Sequence, residues 1–168
     1  MIYLFVRLNF AKMNNFIIPI SYNLGYGQIK KQIKKQIKMD TTKTKRFNTG
    51  WKKLKEIDGQ AGVSVIESLK DVSPDLAKYT IEYPFGDVYN RKILDNRTRE
   101  IAVVAALAAM GNAVPQLKVH INAALNVGVT SNEISEVMIL MSVYAGFPSA
   151  LNGTLALKEV LKERVNAR

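Results

Sequence analysis

Apolar residues recur at helical spacing from Thr49 onward, and no stretch alternates apolar and polar residues as a strand would. This pattern predicts two short helices that are separated at Asp58-Gly59. A further helix is predicted to start at Ser73-Pro74-Asp75, where the serine can cap it and the acid faces the helix dipole. Pro84 is predicted to bend or interrupt that helix because proline lacks a backbone N–H.

The second half of the chain carries clearer helix boundaries. Asp95 is a predicted helix cap, and Thr130 with Glu133 three residues later matches a capping box. Helices are predicted at about 96–110, from near 115 to 128, from 130 to 146, and from 148 toward a polar tail. The sequence therefore predicts an all-α domain of about six or seven helices.

One of these helices is apolar almost all round. Residues 101–109 read Ile-Ala-Val-Val-Ala-Ala-Leu-Ala-Ala and contain no polar face. Such a helix is expected to be buried on several sides. Contacts between subunits would finish that burial, so we expect a homo-oligomer; the alternative is a central helix in a monomeric bundle.

The charge of the chain is unevenly distributed. Its 168 residues carry a formal net charge of +10, which on its own would favour nucleic acid or a membrane surface as a partner. Residues 1–38, however, hold seven of the 24 basic residues and none of the 14 acids, which leaves a net charge of +3 for the rest. We therefore predict no nucleic-acid partner for the folded domain.

The basic segment itself ends in a repeat of Gln-Ile-Lys-Lys over residues 28–38. One interpretation is a basic amphipathic helix that binds acidic lipid or nucleic acid. The other is a disordered tail or translated upstream DNA, with Met39 as the natural start. We divide the chain into a low-complexity leader, 1–38, and a helical domain, 39–168. No apolar run in the leader is long enough to span a membrane.

The chain contains no cysteine, which excludes disulfides, thiolate metal sites and dithiol redox chemistry. This composition is compatible with the cytoplasm, where we expect the protein. No phosphate-binding loop and no cluster of metal ligands is recognisable, so neither a cofactor nor a metal is predicted.

Two residues are candidates for proton transfer. His120, the sole histidine, lies on the inward face of its predicted helix, and its side chain has the pKa closest to neutrality. Glu100 opens the apolar helix and could point into a buried cavity, which would raise its pKa. The alternatives are a structural histidine bonded to a carbonyl, and a surface glutamate paired with Arg97 or Arg99.

Three residues are candidates for substrate binding. Arg97 could hold a carboxylate in a bidentate manner, and Tyr144 and Asn152 flank the turn at Gly146-Phe147-Pro148, where either could hydrogen-bond a ligand. The alternative is that Tyr144 is part of the core and the arginine is solvated.

Several segments in order resemble the carboxymuconolactone decarboxylase family. They are Thr98-Arg99-Glu100, the Ala-rich helix ending in Met110-Gly111-Asn112, and the runs 117–125, 128–134 and 143–152. The resemblance covers about residues 45–165. It implies the alkyl hydroperoxidase D-like helical fold, assembly into trimers or hexamers, and active sites near subunit interfaces.

The resemblance also implies a reaction. The peroxidase branch of this fold uses a Cys-x-x-Cys pair, which this chain lacks, so thiol peroxidase activity is not expected. The decarboxylase branch needs no cofactor and acts on γ-carboxymuconolactone, with His120 matching the family histidine and Glu100 the family glutamate. We expect a carboxy-lyase of aromatic degradation whose substrate is a small carboxylated lactone. The alternative is a non-catalytic homo-oligomer that binds a small molecule.

Overall fold

The computed structural model describes Gly27, Lys31 and residues 45–167, and the described chain contains helices and no strands. The all-α prediction is confirmed, whereas the predictions for the leader fall almost entirely outside the described residues. The α-helices are α1 (45–57), α2 (Gly59–Leu69), α3 (Pro74–Thr80), α4 (Asn96–Met110), α5 (Val114–Asn126), α6 (Ser131–Tyr144) and α7 (Phe147–Asn166). None of the described helices has the length and hydrophobicity that crossing a membrane requires.

Local capping fixes the predicted starts of α4 and α6, whereas the predicted side-chain cap at Ser73 is not formed: Ser73 precedes α3 without a side-chain capping hydrogen bond. The side chain of Asp95 accepts a hydrogen bond from the backbone N–H of Thr98 at 2.7 Å, so α4 begins at the next residue. Gly111 ends α4 in the left-handed conformation, with φ of 72°, which an L-residue adopts only with strain. Thr130 and Glu133 form the reciprocal capping box at the start of α6.

The chain around Pro84 differs from the prediction. It does not leave the helical path there but continues α3 as a π-helix, Ile81–Val88. The backbone N–H of Tyr89 donates to the carbonyl oxygen of Pro84 at 2.8 Å, which is the wider i to i−5 spacing. Proline cannot donate to an α-helical ladder, and the wider turn accommodates the missing bond.

Two apolar clusters make up the core. The larger joins α4, α5, α6 and α7 and contains fully buried residues such as Ile121, Ile134 and Val160. The smaller joins α1, α2, α3 and the π-helix, around Leu54, Ile66 and Phe85. A cleft opens where the smaller cluster meets α4 and α5, and it is this cleft that receives the polar side chains described below.

The apolar helix α4 is buried on one face only within a single chain. Glu100, Val104 and Ala108 are buried, while Ala102 and Ala106 are exposed on the other side. The expected burial on several sides is therefore not reached by one chain alone. Coverage of the remaining alanines by another subunit stays a prediction.

Candidate active site

The side chain of Glu100, in the first turns of α4, is fully buried. The hydroxyl of Tyr89 donates to Oε1 of Glu100 at 2.7 Å, and Nδ1 of His120 lies 2.9 Å from Oε2. A buried carboxylate requires such partners, because its charge is otherwise expensive to remove from water. Both carboxylate oxygens are thus engaged inside the protein.

The arginines that flank Glu100 have other partners. Arg97 is bound to Glu133 at the start of α6. Arg99 donates to the main-chain carbonyl oxygens of Leu94 and Arg91, at 3.2 and 2.9 Å. The alternative in which Glu100 forms surface ion pairs with these arginines is therefore wrong.

His120 projects from α5 toward α4, and 21% of its side chain is exposed. Its neighbours on the inward face of the helix, Leu117 and Ala124, are buried, as the spacing predicted. With Nδ1 held by Glu100, the proton on that nitrogen fixes the ring orientation and leaves Nε2 for other partners. His120 lines the cleft, so a ligand can reach the ring.

A second buried acid, Asp58, completes the cluster. It ends the first helical segment, before Gly59 starts α2, and is only 4% exposed. A carboxyl oxygen of Asp58, one of Glu100 and a ring nitrogen of His120 all lie within 4.8 Å of one another. Oδ1 of Asp58 is buried and has no hydrogen-bond partner among the described residues.

The cleft beside this cluster has a volume of about 380 Å³. Its lining is mostly apolar, with side chains such as Leu54, Ile66, Phe85, Val103 and Val119. The polar residues that line it are Asp58, Thr80, Tyr89, Gln116 and His120. Glu100 does not line it, and no lysine or arginine is found among its described lining residues. This combination of an apolar wall with a few converging polar groups is typical of small-molecule sites.

Burial and mutual charge shift the pKa values of the cluster. Burial raises the pKa of Asp58 to about 7, while the charge of His120 opposes that rise and the charge of Glu100 supports it. Burial alone lowers the pKa of His120, but the hydrogen bond and charge of Glu100, with the charge of Asp58, raise it above its ordinary value. Burial and the neighbouring Glu100 raise the pKa of the Tyr89 hydroxyl, which stays protonated as a donor. The site therefore contains a buried acid with a pKa of about 7 beside a histidine whose pKa is raised above its ordinary value.

Asp58, Glu100 and His120 are also the one group of described side chains whose chemistry and spacing would suit a metal ion. Their hydrogen bonds argue for another use. Oε1 of Glu100 accepts from Tyr89, and Oε2 is paired with Nδ1 of His120. The Glu100 and His120 atoms of this group are thus engaged with each other and with Tyr89, whereas Oδ1 of Asp58 has no partner among the described residues.

The three predicted substrate-binding residues lie away from this cleft. Arg97 is occupied by Glu133, Tyr144 at the end of α6 is 78% exposed, and Asn152 is exposed on α7. None of the three lines the cleft of the described chain. Their role in substrate binding stays a prediction, and it would need a second copy of the chain to bring Tyr144 or Asn152 to a cleft.

Sequence reasoning missed Tyr89 and Asp58 as members of the site. Tyr89 precedes Glu100 by 11 residues, and its place is set by the π-helix, which the sequence did not predict. Asp58 was interpreted only as part of a break between helices. An acid at the end of an apolar helical stripe, followed by glycine, was the one available signal for it.

Comparison with known proteins shows the family of this chain. Residues 74–159 match the carboxymuconolactone decarboxylase family. The chain belongs to this family. The matched range contains Tyr89, Glu100 and His120 but not Asp58. A 4-carboxymuconolactone decarboxylase from Acinetobacter baylyi is 30% identical over 119 residues, which cover 70% of this chain and 88% of the relative.

Two further relatives extend the comparison. An uncharacterized 15.0 kDa protein of Paracoccus denitrificans is 32% identical over 85 residues, 50% of this chain and 63% of that protein. A nitrosuccinic acid decarboxylase of Metarhizium robertsii is 26% identical over 123 residues, 71% of this chain and 84% of the relative. Two of these three relatives are thus named as decarboxylases, and their names differ in the acid on which they act.

Proposed function

We propose that this chain is a decarboxylase that needs no cofactor and acts on a small carboxylated lactone of the γ-carboxymuconolactone type. The observation that carries the proposal is the pair of Glu100 and His120, joined at 2.9 Å, with the histidine open to the cleft. Membership of the family and the decarboxylase names of two relatives support the same reaction class.

The reaction requires a place for an electron pair and a source for a proton. The bond between the substrate carbon and its carboxylate breaks, the electron pair moves into the conjugated lactone, and CO2 leaves. A carbon of the resulting enolate then takes up a proton. His120 relays protons and places positive charge beside the substrate, while Glu100 keeps the ring oriented and favours its protonated form.

The shape and polarity of the cleft suit such a substrate. Its volume of about 380 Å³ is within the usual range for small-molecule sites, which is about 300–1,000 Å³. Its apolar wall would strip water from the substrate carboxylate, and His120 is the one cationic side chain among the described lining residues. A protonated imidazole next to an apolar wall strengthens the attraction for a single carboxylate.

We further propose that the working form is a homo-oligomer, a trimer or a hexamer. The support is an apolar face on α6 and α7, in which Val143, Phe147, Leu151 and Leu155 are 74%, 72%, 60% and 56% exposed. Phe147, Leu151 and Leu155 are spaced by four residues along α7 and so lie on one side of that helix, while Val143 lies at the end of α6. An exposed stripe of this kind marks a contact surface in most proteins.

The test is CO2 release from γ-carboxymuconolactone by the wild type and by His120→Ala. The proposal predicts turnover by the wild type and a loss of at least about 100-fold in the variant, with the mass in solution unchanged. Lys118→Ala is the matched control, because Lys118 lies on the same helix but pairs with Glu159. It should retain wild-type turnover.

Two results would contradict the proposal. Wild-type turnover that survives His120→Ala would remove the histidine from the reaction. A folded wild type that is stabilised by the lactone but yields no product would instead indicate a non-catalytic binding protein of the same fold.

A further inference from the structure

The two buried acids of the cluster have different access to the cleft. Glu100 is fully buried, both of its oxygens are hydrogen-bonded, and it does not line the cleft. Asp58 is nearly as buried, but it does line the cleft, and its Oδ1 has no partner among the described residues. Of the two acids, Asp58 is therefore the one that borders the cleft and keeps a carboxyl oxygen free of protein partners among the described residues.

We propose that Asp58 is the acid that gives its proton directly to the substrate carbon, and that Glu100 acts only through His120. This inference rests on the proposed decarboxylase function. It assigns a reacting group that lies outside the range matched by the family.

The surroundings of Asp58 favour a carboxyl group that holds a proton near neutrality. Three titratable groups face it: Glu100 from α4, His120 from α5 and Tyr89 from the end of the π-helix, with Arg99 above the tyrosine ring at 5.8 Å. Burial raises the pKa of Asp58 to about 7. A general acid is most effective when its pKa lies near the working pH, since the proton is then both present and transferable.

A glycine one helical turn away leaves the space that the side chain of Asp58 occupies. A Cβ at Gly62 would lie 2.5 Å from Cβ of Asp58 and 2.9 Å from its Oδ2. No real side chain tolerates such distances, so any larger residue at position 62 would push the carboxyl group away. Gly62 lines the cleft together with Asp58.

The step balances without a further reactant. As the bond to the carboxylate breaks, its electron pair enters the conjugated lactone and CO2 departs. The O–H bond of Asp58 then breaks while a C–H bond forms at the substrate carbon, which leaves Asp58 as a carboxylate. Solvent returns the proton after the product has left, with the protonated His120 stabilising the transient charge.

The first test is the pH dependence of turnover in the wild type, Asp58→Asn and Asp71→Asn. The wild-type rate should fall as the pH rises above about 7, because Asp58 then loses its proton. Asp58→Asn should reduce turnover by at least about 100-fold. Asp71→Asn, which changes an exposed acid just after α2, should retain the wild-type profile. Wild-type turnover in Asp58→Asn would overturn the inference.

The second test does not depend on turnover. Infrared spectroscopy at pH 6 should detect the carbonyl stretch of a protonated carboxylic acid in the wild type and in Asp71→Asn. That band should disappear in Asp58→Asn and, in the wild type, as the pH is raised to 9. Absence of the band at pH 6 in the folded wild type would overturn the inference even where decarboxylation is observed. Presence of the band without any turnover would instead contradict the proposed function.

Discussion

The polar cluster beside the cleft and the apolar face on α6 and α7 differ in burial. The side chains of the cluster are largely buried and contact one another within one chain, whereas those of the apolar face are exposed to water. In the cluster, Glu100 has both oxygens bonded and is fully buried although it is an acid. On the face, Phe147 and Leu151 are 72% and 60% exposed although they are apolar. One region buries charge with its own partners, and the other leaves hydrophobic surface in contact with water.

This difference separates the contacts that form within one chain from those that would form only in an oligomer. Four elements of the same chain bring Asp58, Tyr89, Glu100 and His120 together, so the contacts within this cluster form in a single chain. Tyr144 and Asn152 belong to the exposed region. A contribution from them to substrate binding would depend on a second copy, whereas the cluster would survive in an isolated chain.

Among the variants that test this comparison, Glu100→Gln is expected to have the largest effect on activity. Glu100→Gln keeps the size of the side chain but removes the charge that favours protonated His120. We expect CO2 release to fall by about 1,000-fold. Glu136→Gln on the exposed side of α6 is the control and should behave as the wild type. Full activity in Glu100→Gln would show that the buried charge does not serve the reaction.

A smaller effect, on stability, is expected at Asp58. Its pKa rises from 3.8 to about 7 on folding, so the folded protein binds this proton more tightly than the unfolded chain. The stabilisation is complete below pH 3.8 and is lost as the pH rises to about 7. Asp58→Asn avoids that loss and should raise the free energy of unfolding at pH 8 by about 3 kcal/mol. Urea unfolding at pH 8 and pH 4 measures the free energy of unfolding of both proteins. A gain in stability of Asp58→Asn over the wild type that is equal at both pH values would refute the explanation.

A charge placed in the apolar face on α6 and α7 should weaken assembly of the oligomer. Leu151→Glu places a charge in the middle of the stripe, and burial of one leucine is worth about 2 kcal/mol per copy. Light scattering should show a smaller particle for this variant than for the wild type. The infrared band of Asp58 should persist in it, because the cluster is complete within one chain. A wild type that is already monomeric would contradict the proposed oligomer.

The smallest effect is expected at Arg97. Its partner Glu133 also closes the capping box of α6, and the hydrogen bonds that Glu133 accepts from Thr130 and from Arg97 lower the pKa of this glutamate to about 2. The arginine side chain is 43% exposed, and solvent screens ion pairs at the surface so that they contribute little to stability. Arg97→Ala should therefore change stability little. A large rise in KM for this variant would support the predicted role in substrate binding.

The helices were predictable where a local signal fixes them. Asp95 and Thr130 cap α4 and α6 through residues three positions away, and such contacts are visible in the sequence. The π-helix was not predictable, because proline removes one hydrogen bond of an α-helix without specifying which structure replaces the α-helix. The place of Tyr89 depends on that segment and was missed for the same reason.

The site was predictable only in part. Glu100 and His120 could be named from residue type, helix position and family resemblance, but their separation of 2.9 Å depends on how α4 packs against α5. Asp58 is 62 residues from His120 along the chain, and nothing local relates the two. Its burial follows from the packing of α2 against α5, which no periodicity of the sequence encodes.

The most direct test of the buried pair is the titration of His120 by NMR in the wild type and in Glu100→Gln. Since the chain contains one histidine, the C2–H signal reports this ring alone. The structure predicts a pKa above the ordinary 6.5 in the wild type and a lower value in the variant. A wild-type pKa at or below 6.5 that does not change in Glu100→Gln would contradict the pairing of these two residues.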